Sequence, residues 1–418
     1  MRICRTWLAF SLCLAACAVP AAKAPEAAET TADAKDGAAT SEQVAQGNRV
    51  FALSLYRSLA DADPGNLFFS PLGIATAFGP VTAGAAGETR LAIARTLHYP
   101  VAGAGLHPAL GALSRALTRE GDAATLVIAN AMWVKRGFAL NPAFEHVVRT
   151  DYGALVEPLD FARNPGAAAS RINAWVGDRT RGRIPQLVDA SSLDADTRLV
   201  VTNAVYFLAD WQAQFRRGET APAPFTLGDG TSIQVPTMHQ VRPFRHHDGG
   251  RFSAVDLPYR DPRLVMTVLL PKSADGLPDL ERSLTPAMLD STLQALDSAE
   301  PVQLDLKLPK LELRTSYELT LVLERLGMAV AFSNSADFGN ITSEESLKID
   351  SVVHKTFLRV DEKGTEAAAA TAVEIVATSA PVPPRLRFHA DHPFLFMLRD
   401  RETGAILFLG RIVRPTIA

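Results

Sequence analysis

Apolar residues recur at helical spacing over 44–59, 73–96, 106–120, 167–180 and 316–326, several of these runs entered through Ser, Asn or Pro, and this spacing predicts amphipathic helices there. Short alternating or continuous apolar runs over 125–134, 199–207, 263–270, 302–308, 354–361, 393–398 and 406–413 predict strands. The two kinds of element interleave in no regular strand–helix–strand order, so the expected class is α+β rather than a doubly wound α/β sheet. From Ala18 to about Ser41 the chain is built of Ala, Glu, Thr, Pro, Asp and Lys with almost no large apolar residue, and too little surface can be buried there to offset the cost of ordering. Residues 17–44 are therefore expected to be a flexible tether. No further low-complexity gap or repeat follows, and 45–418 are expected to form one large domain.

One stretch departs from these patterns. Residues 362–379 read Glu-Lys-Gly-Thr-Glu-Ala-Ala-Ala-Ala-Thr-Ala-Val-Glu-Ile-Val-Ala-Thr-Ser, and by propensity the four alanines with flanking glutamates favour a helix. Parity favours a strand. Beyond Gly364, odd positions (Thr365, Ala367, Ala369, Thr371, Val373, Ile375) are small or apolar, and both charges, Glu366 and Glu374, are even. Pro381, Pro383 and Pro384 then forbid a helix and suit an extended, exposed loop before the strand near Phe394. From the residues alone, the stretch is either an Ala-rich surface helix or a segment able to be both loop and strand.

Charge changes the picture little. With 42 basic and 45 acidic residues the formal net charge is -3, which gives no electrostatic case for nucleic acid or an anionic membrane surface. The three cysteines, Cys4, Cys13 and Cys17, all fall in the first seventeen residues, so the folded part holds no disulfide and no thiolate metal site. Arg2 and Arg5 followed by an apolar run from Trp7 to Val19, too short to span a bilayer, read as an export signal. Its end, Leu14-Ala15-Ala16-Cys17, resembles the bacterial lipobox, which implies a signal peptide of residues 1–16, lipid on Cys17, and attachment to the bacterial cell envelope (outer membrane or cell surface). An ordinary signal peptide with a chance cysteine, giving a secreted protein, is the alternative.

Candidate catalytic chemistry is thin. His239, His246 and His247 could offer metal nitrogens, but no carboxylate-bearing motif of known spacing accompanies them, and they read better as exposed loop histidines. The pair His389 and His392, just before the strand at Pro393, is equally weak. A Ser-His-Asp triad is compatible with the composition, yet no G-x-S-x-G elbow occurs. The chain is not expected to be an enzyme, nor to hold a cofactor or metal.

The run Glu362-Lys363-Gly364-Thr365-Glu366-Ala367-Ala368-Ala369-Ala370-Thr371 resembles the hinge of inhibitory serpins, the serine peptidase inhibitors. Asn66-Leu-Phe-Phe-Ser-Pro71, Asn203-Ala-Val-Tyr-Phe with Trp211, Val235-Pro-Thr-Met238, Leu308-Pro-Lys-Leu311, Val353-His-Lys355, and Asp391-His-Pro-Phe394 through Gly410-Arg411 resemble further family signatures in the family's order. The resemblance implies a large central mixed β-sheet, two further sheets, about eight to nine helices and an exposed reactive-centre loop.

It also implies suicide inhibition. A peptidase cuts the loop at Thr378-Ser379, Thr378 being the seventeenth residue with the hinge glutamate counted as the first, and is trapped as its acyl-enzyme when the cut loop enters the main sheet. Ser70, Asn203 and His354 would form the polar shutter beneath that sheet. Trp211 would pack at the breach, where insertion begins, and Lys310 would pair with Glu362. Gly364 is expected to give backbone freedom to the turn, and Gly73, where the family often has a shutter serine, puts the shutter's hydrogen bonding in question. With no Lys, Arg or aromatic residue from 365 to 383, and Val376-Ala377-Thr378 before the cut, the expected partners are elastase-like or subtilisin-like serine peptidases with small apolar pockets, some cysteine peptidases being a further possibility. The cut could also shift to Ala377 or Ala380. A monomer is expected. The competing reading is a serpin fold that no longer inhibits and serves as a binding protein, which usually carries a hinge spoiled by charge, proline or bulk.

Overall fold

The computed structural model describes residues 37–121, 123–365 and 386–416. Cys17, Glu366, Ala367, Ala368, Ala369, Ala370, Thr378 and Ser379, and with them the proposed anchor and bait, lie outside the described residues.

Sixteen strands are found among the described residues: β1 Leu67–Phe69, β2 Arg119–Glu120, β3 Ala124–Lys135, β4 Leu155–Leu159, β5 Leu199–Asp210, β6 Ala221–Thr226, β7 Ser232–Asp248, β8 Phe252–Pro258, β9 Leu264–Pro271, β10 Val302–Pro309, β11 Leu311–Glu318, β12 Ser351–Val360, β13 Gly364–Thr365, β14 Leu386–His389, β15 Phe394–Asp400 and β16 Ile406–Ile412. The main sheet runs β11-β12-β13-β5-β3-β2, with β4 beside β3. It is mixed: β12 with β5 and β3 with β4 are parallel, the rest antiparallel. The other nine strands are hydrogen-bonded in the order β1-β16-β15-β9-β8-β7-β10-β14, with β6 on β7. The two smaller sheets expected are thus continuous. β7 is seventeen residues long, and its first part pairs with β6 and β10 while its last residues pair with β8.

The helices are α1 Ser41–Ala62, α2 Pro71–Gly84, α3 Gly87–Thr96, α4 Leu106–Leu117, α5 Pro142–Val147, α6 Pro165–Arg179, α7 Leu277–Ser283, α8 Pro286–Ser298 and a broken α9 over 320–332, kinked at Gly327 with φ 116°. α1 starts three residues ahead of the tether's expected end, because Thr40 and Gln43 cap each other reciprocally and Val44 is already buried. The single helix expected over 73–96 is two, divided at Ala85 and Ala86 ahead of Gly87 (φ 50°), and the helix expected over 106–120 gives way to β2. Residues 316–318 belong to β11 rather than to a helix: Leu311 to Tyr317 alternate across the sheet, and the helical turn begins only at Thr320.

These elements enclose the main sheet on both faces. On one face lie α2, buried along nearly its whole length as an apolar helix must be, and the second set of strands. On the other, α6 and the chain after it cover Ala129, Ala131 and Trp133 of β3, Val200 and Ala204 of β5, and Phe357 of β12. The seam between β5 and β12 therefore lies between two packed layers.

Candidate functional site

β5 and β12 pair directly, and in parallel, from Ser351 opposite Val200 to Phe357 opposite Tyr206. Above Phe357 they part. Gly364 and Thr365 occupy the gap as β13, antiparallel to both neighbours, with Thr365 opposite Val360 on one side and Ala209 on the other. The segment that parity marked as a strand thus begins as one, and its first odd residue, Thr365, is wholly buried.

Side chains from four elements hold this wedge. The Trp211 indole stacks on the Tyr259 ring at 4.5 Å and 10° and donates to the Asp361 carbonyl at 3.0 Å, while its backbone N–H donates to the Lys363 carbonyl at 2.7 Å. The Tyr259 hydroxyl meets Thr365 Oγ1 at 2.7 Å. Lys310 Nζ donates to both oxygens of Glu362, at 3.1 and 2.9 Å, and Thr220 Oγ1 donates to one of them at 2.9 Å. Burial opposes the charge on Glu362, but the hydrogen bonds from Lys310, the backbone and Thr220 outweigh it and hold the carboxyl below its ordinary pKa. Trp211, Lys310 and Glu362 thus lie together around the wedge. Gly364 has a different role from the expected one: its φ is not left-handed, and a Cβ there would lie 2.0 Å from the Ala209 carbonyl oxygen. Close approach of two backbones, not freedom to turn, requires glycine.

Lower on the seam, a polar chain crosses beneath the sheet. Ser70 caps α2 by accepting from the Gly73 N–H at 3.0 Å, and its Oγ donates to the Leu407 carbonyl at 2.6 Å. The Ser70 backbone N–H donates to His354 Nε2 at 3.0 Å, which fixes the proton on Nδ1, and Nδ1 donates to Asn203 Oδ1 at 2.6 Å. Complete burial pushes the His354 pKa down to about 3, so the ring is neutral. Asn203 Nδ2 donates to Asn130 Oδ1 at 2.6 Å, Asn130 Nδ2 to Thr76 Oγ1 at 2.9 Å, and Thr76 Oγ1 to the Gly73 carbonyl at 2.9 Å. Ser70, Asn203 and His354 are joined in one hydrogen-bonded chain. Asn130 and Thr76 extend the relay and carry no sequence signal of their own. Gly73 leaves no gap, since a Cβ there would lie 2.5 Å from Val205 Cγ2 and 2.8 Å from Asn203 Oδ1.

Of the histidines set aside from metal chemistry, all but His392, which lies in the bend between β14 and β15, are in strands rather than in exposed loops. His239 of β7 and His389 of β14 both contact Asp305 Oδ1, at 3.1 and 3.2 Å; His246 and His247 are in β7, and His392 bonds Asp391 Oδ1 and the Pro271 carbonyl. Among the described residues no three His, Cys, Asp or Glu side chains are grouped so as to hold a metal ion.

The family model described as Serpin (serine protease inhibitor) matches residues 46–415. A serpin-like protein of Thermococcus kodakarensis is 40% identical over 87% of this chain and 84% of its own length. The leukocyte elastase inhibitor of Sus scrofa is 35% identical over 90% of this chain and 100% of its own length. Among solved structures, Serpin48 of the insect Tenebrio molitor superposes with a TM-score of 0.81 at 28% identity, covering 90% of this chain and 99% of that one. Uncleaved ovalbumin superposes at 0.82 and 28%, covering 89% and 100%.

Proposed function

The chain belongs to the serpin family, and from that premise we propose that it is an inhibitory serpin, cut at Thr378-Ser379 by an elastase-like or subtilisin-like serine peptidase and trapping the acyl-enzyme by drawing the cut loop into the seam between β5 and β12. The observation that carries the proposal is the wedge of Gly364 and Thr365, already paired with both strands above a seam that is still closed. The name of the leukocyte elastase inhibitors supports a peptidase target with a small apolar pocket.

Extending the register of β13 gives the path. Thr365 faces Val360 and Ala209, so antiparallel continuation sets residue 374 opposite Ser351 and, independently, opposite Val200. Both ladders close on Glu374, the last position of the seam. Thr378 then lies four residues further, about 13 Å past the end at roughly 3.3 Å per residue. Thr365 points toward Tyr259 in the interior, and by alternation Ala367 would pass between Leu358 and Phe207, Ala369 between Thr356 and Val205, and Thr371 between His354 and Asn203. Leu358 and Phe207 are fully buried, which demands a small residue between them. The peptidase, still joined to Thr378, would be carried to the far end of the sheet. A displacement of about 1 Å in its catalytic groups can cost ~100-fold in rate, and deacylation stalls.

Mixing the chain with pancreatic elastase or subtilisin and running a denaturing gel tests this. A stable covalent band is expected, with mass spectrometry placing the cut after Thr378. Clean cleavage without a covalent band would instead support the non-inhibitory reading of the fold. Attachment through a lipid on Cys17 is part of the same proposal, and palmitate labelling lost in Cys17→Ser is its expected signature.

A further inference from the structure

β7 changes partners in mid-strand. Thr237 to Phe244 pair with β10, and from Arg245 onward the strand pairs with β8, Arg245 lying opposite Asp256. Continued, that second ladder would set Phe244 against Leu257 and Pro243 against Pro258, but neither proline has an N–H to give, and the strands part. The chain leaving β5 takes the freed edge of β8 instead, its Gln212 N–H donating to the Pro258 carbonyl at 2.9 Å. Between this chain, β7 and the end of β8 lies a cavity of about 270 Å³.

Trp211, Pro243, Phe244, Leu257 and Pro258 give it an apolar wall. One buried polar group interrupts that wall. Gln240 stands opposite the fully buried Leu306, is only 6% exposed, and its carboxamide oxygen has no hydrogen-bond partner. An unpaired buried acceptor is costly, and a donor brought to it recovers the cost. A second cavity of about 180 Å³ continues from the first past Pro243, Phe244 and Pro258 to Asp256 and Arg401. The charges there are already satisfied: Asp256 accepts from Arg399 and Thr267, and Arg401 donates to Asp297. What enters is therefore selected by apolar area and one donated hydrogen bond, not by charge.

We propose that this cavity is a binding site for a small neutral aromatic molecule carrying one N–H or O–H donor, its ring against the wall of Trp211 and Phe244 and its donor on the Gln240 carboxamide oxygen. Such a ligand couples to the wedge through the chain that forms one wall. Trp211 gives its indole N–H to the Asp361 carbonyl and its backbone N–H to that of Lys363, and the Phe215 N–H donates to the Glu362 carbonyl at 2.8 Å. A ligand packed on Trp211 holds these bonds closed. By linkage it favours the seated wedge in proportion to its preference for that state. Neither the site nor this coupling depends on whether the chain inhibits peptidases.

The test titrates the uncleaved chain by calorimetry with indole and, in parallel, with benzofuran, the same two-ring shape with oxygen in place of the N–H. Indole should bind at one saturable site with Kd below about 1 mM, and benzofuran roughly tenfold more weakly, since it offers no donor. Gln240→Met keeps the length of the side chain, removes the acceptor, and should bind the two alike. Ala213→Phe fills the cavity from the half-buried wall and should bind neither. No saturable binding of indole to the parent, or parental binding in Ala213→Phe, overturns the site and leaves the cavity to water. Benzofuran bound as well as indole by the parent, or a tenfold preference kept in Gln240→Met, overturns the role of Gln240 and with it the ligand class. Should Gln240→Met not fold, the parent's preference and the loss in Ala213→Phe decide alone. Saturating indole should then slow hydrogen exchange of the Trp211 and Phe215 amides at least threefold; indole bound with exchange unchanged overturns the coupling.

Discussion

Thr371→Val separates the closed and inserted states at one hydroxyl. In the closed seam His354 Nδ1 donates to Asn203 Oδ1 at 2.6 Å, and His354 and Asn203 face each other in register. Insertion places a strand between them and breaks that bond, and the extended register sets residue 371 there. A threonine hydroxyl can accept from His354 Nδ1–H and donate to Asn203 Oδ1, replacing one bond by two. Valine has nearly the same volume and neither function. It should leave the uncleaved chain unchanged and leave two buried polar groups unpaired in the cut chain, at about 1–3 kcal/mol each, or about 2–6 kcal/mol together. The assay is guanidinium unfolding of both forms for parent and variant. The expected result is a shift confined to the cut form, with a slower and less complete yield of covalent complex. Equal shifts in both forms, or none in either, would refute the register and the role given to residue 371.

Because the buried His354 ring is neutral while an unfolded histidine titrates near 6.5, the unfolded state binds the extra proton, and stability present above that pH is lost as pH falls toward the folded value of about 3, at up to about 1.4 kcal/mol per unit. Urea unfolding should show the stability gap between parent and His354→Gln narrowing by about 2 kcal/mol from pH 7.5 to 5, and a ring-proton NMR midpoint near 6 would contradict it. Gly73→Ser should destabilise the uncleaved chain by about 1–3 kcal/mol through overpacking against Val205 and Asn203; a stabilised variant would show that the relay has room to rearrange. Thr365→Arg sets a charge against the Trp211–Tyr259 stack at the first step of insertion. It should turn the covalent band into plain cleavage, and a band of parental intensity would remove the wedge from the mechanism.

How far the sequence could be read depended on whether a residue's partner was local. Parity marked 365 as a buried position because alternation is a property of the strand itself, and the helices around Leu53 and Ile172 carried their own periodicity. β7 was missed because Pro236, Pro243, His246 and His247 break its alternation, and its length comes from pairing with three other strands in turn. The outer strand β11 looked helical past Ser316 because the helical turn beginning at Thr320 lent its spacing backward. Ser70, Asn203, His354, Trp211 and Lys310 were found through family resemblance, not physics. Asn130 and Thr76 stand 54 residues apart and meet only once α2 is laid under β3, so no local pattern announces them. Gly364 was recognised but explained wrongly, because a backbone 2.0 Å from a would-be Cβ belongs to a strand some 150 residues away.

The parallel pairing of β5 with β12, set beside the antiparallel pairing of β13 with both, gives the molecule a memory. On the proposed mechanism one ladder is exchanged for two, each new bond contributing about 1 kcal/mol net, and reversal would require both to open before one could re-form. A cut chain therefore does not drift back. In any preparation, the share that resists heat would be a tally of past encounters with peptidases, preserved long after those peptidases are gone.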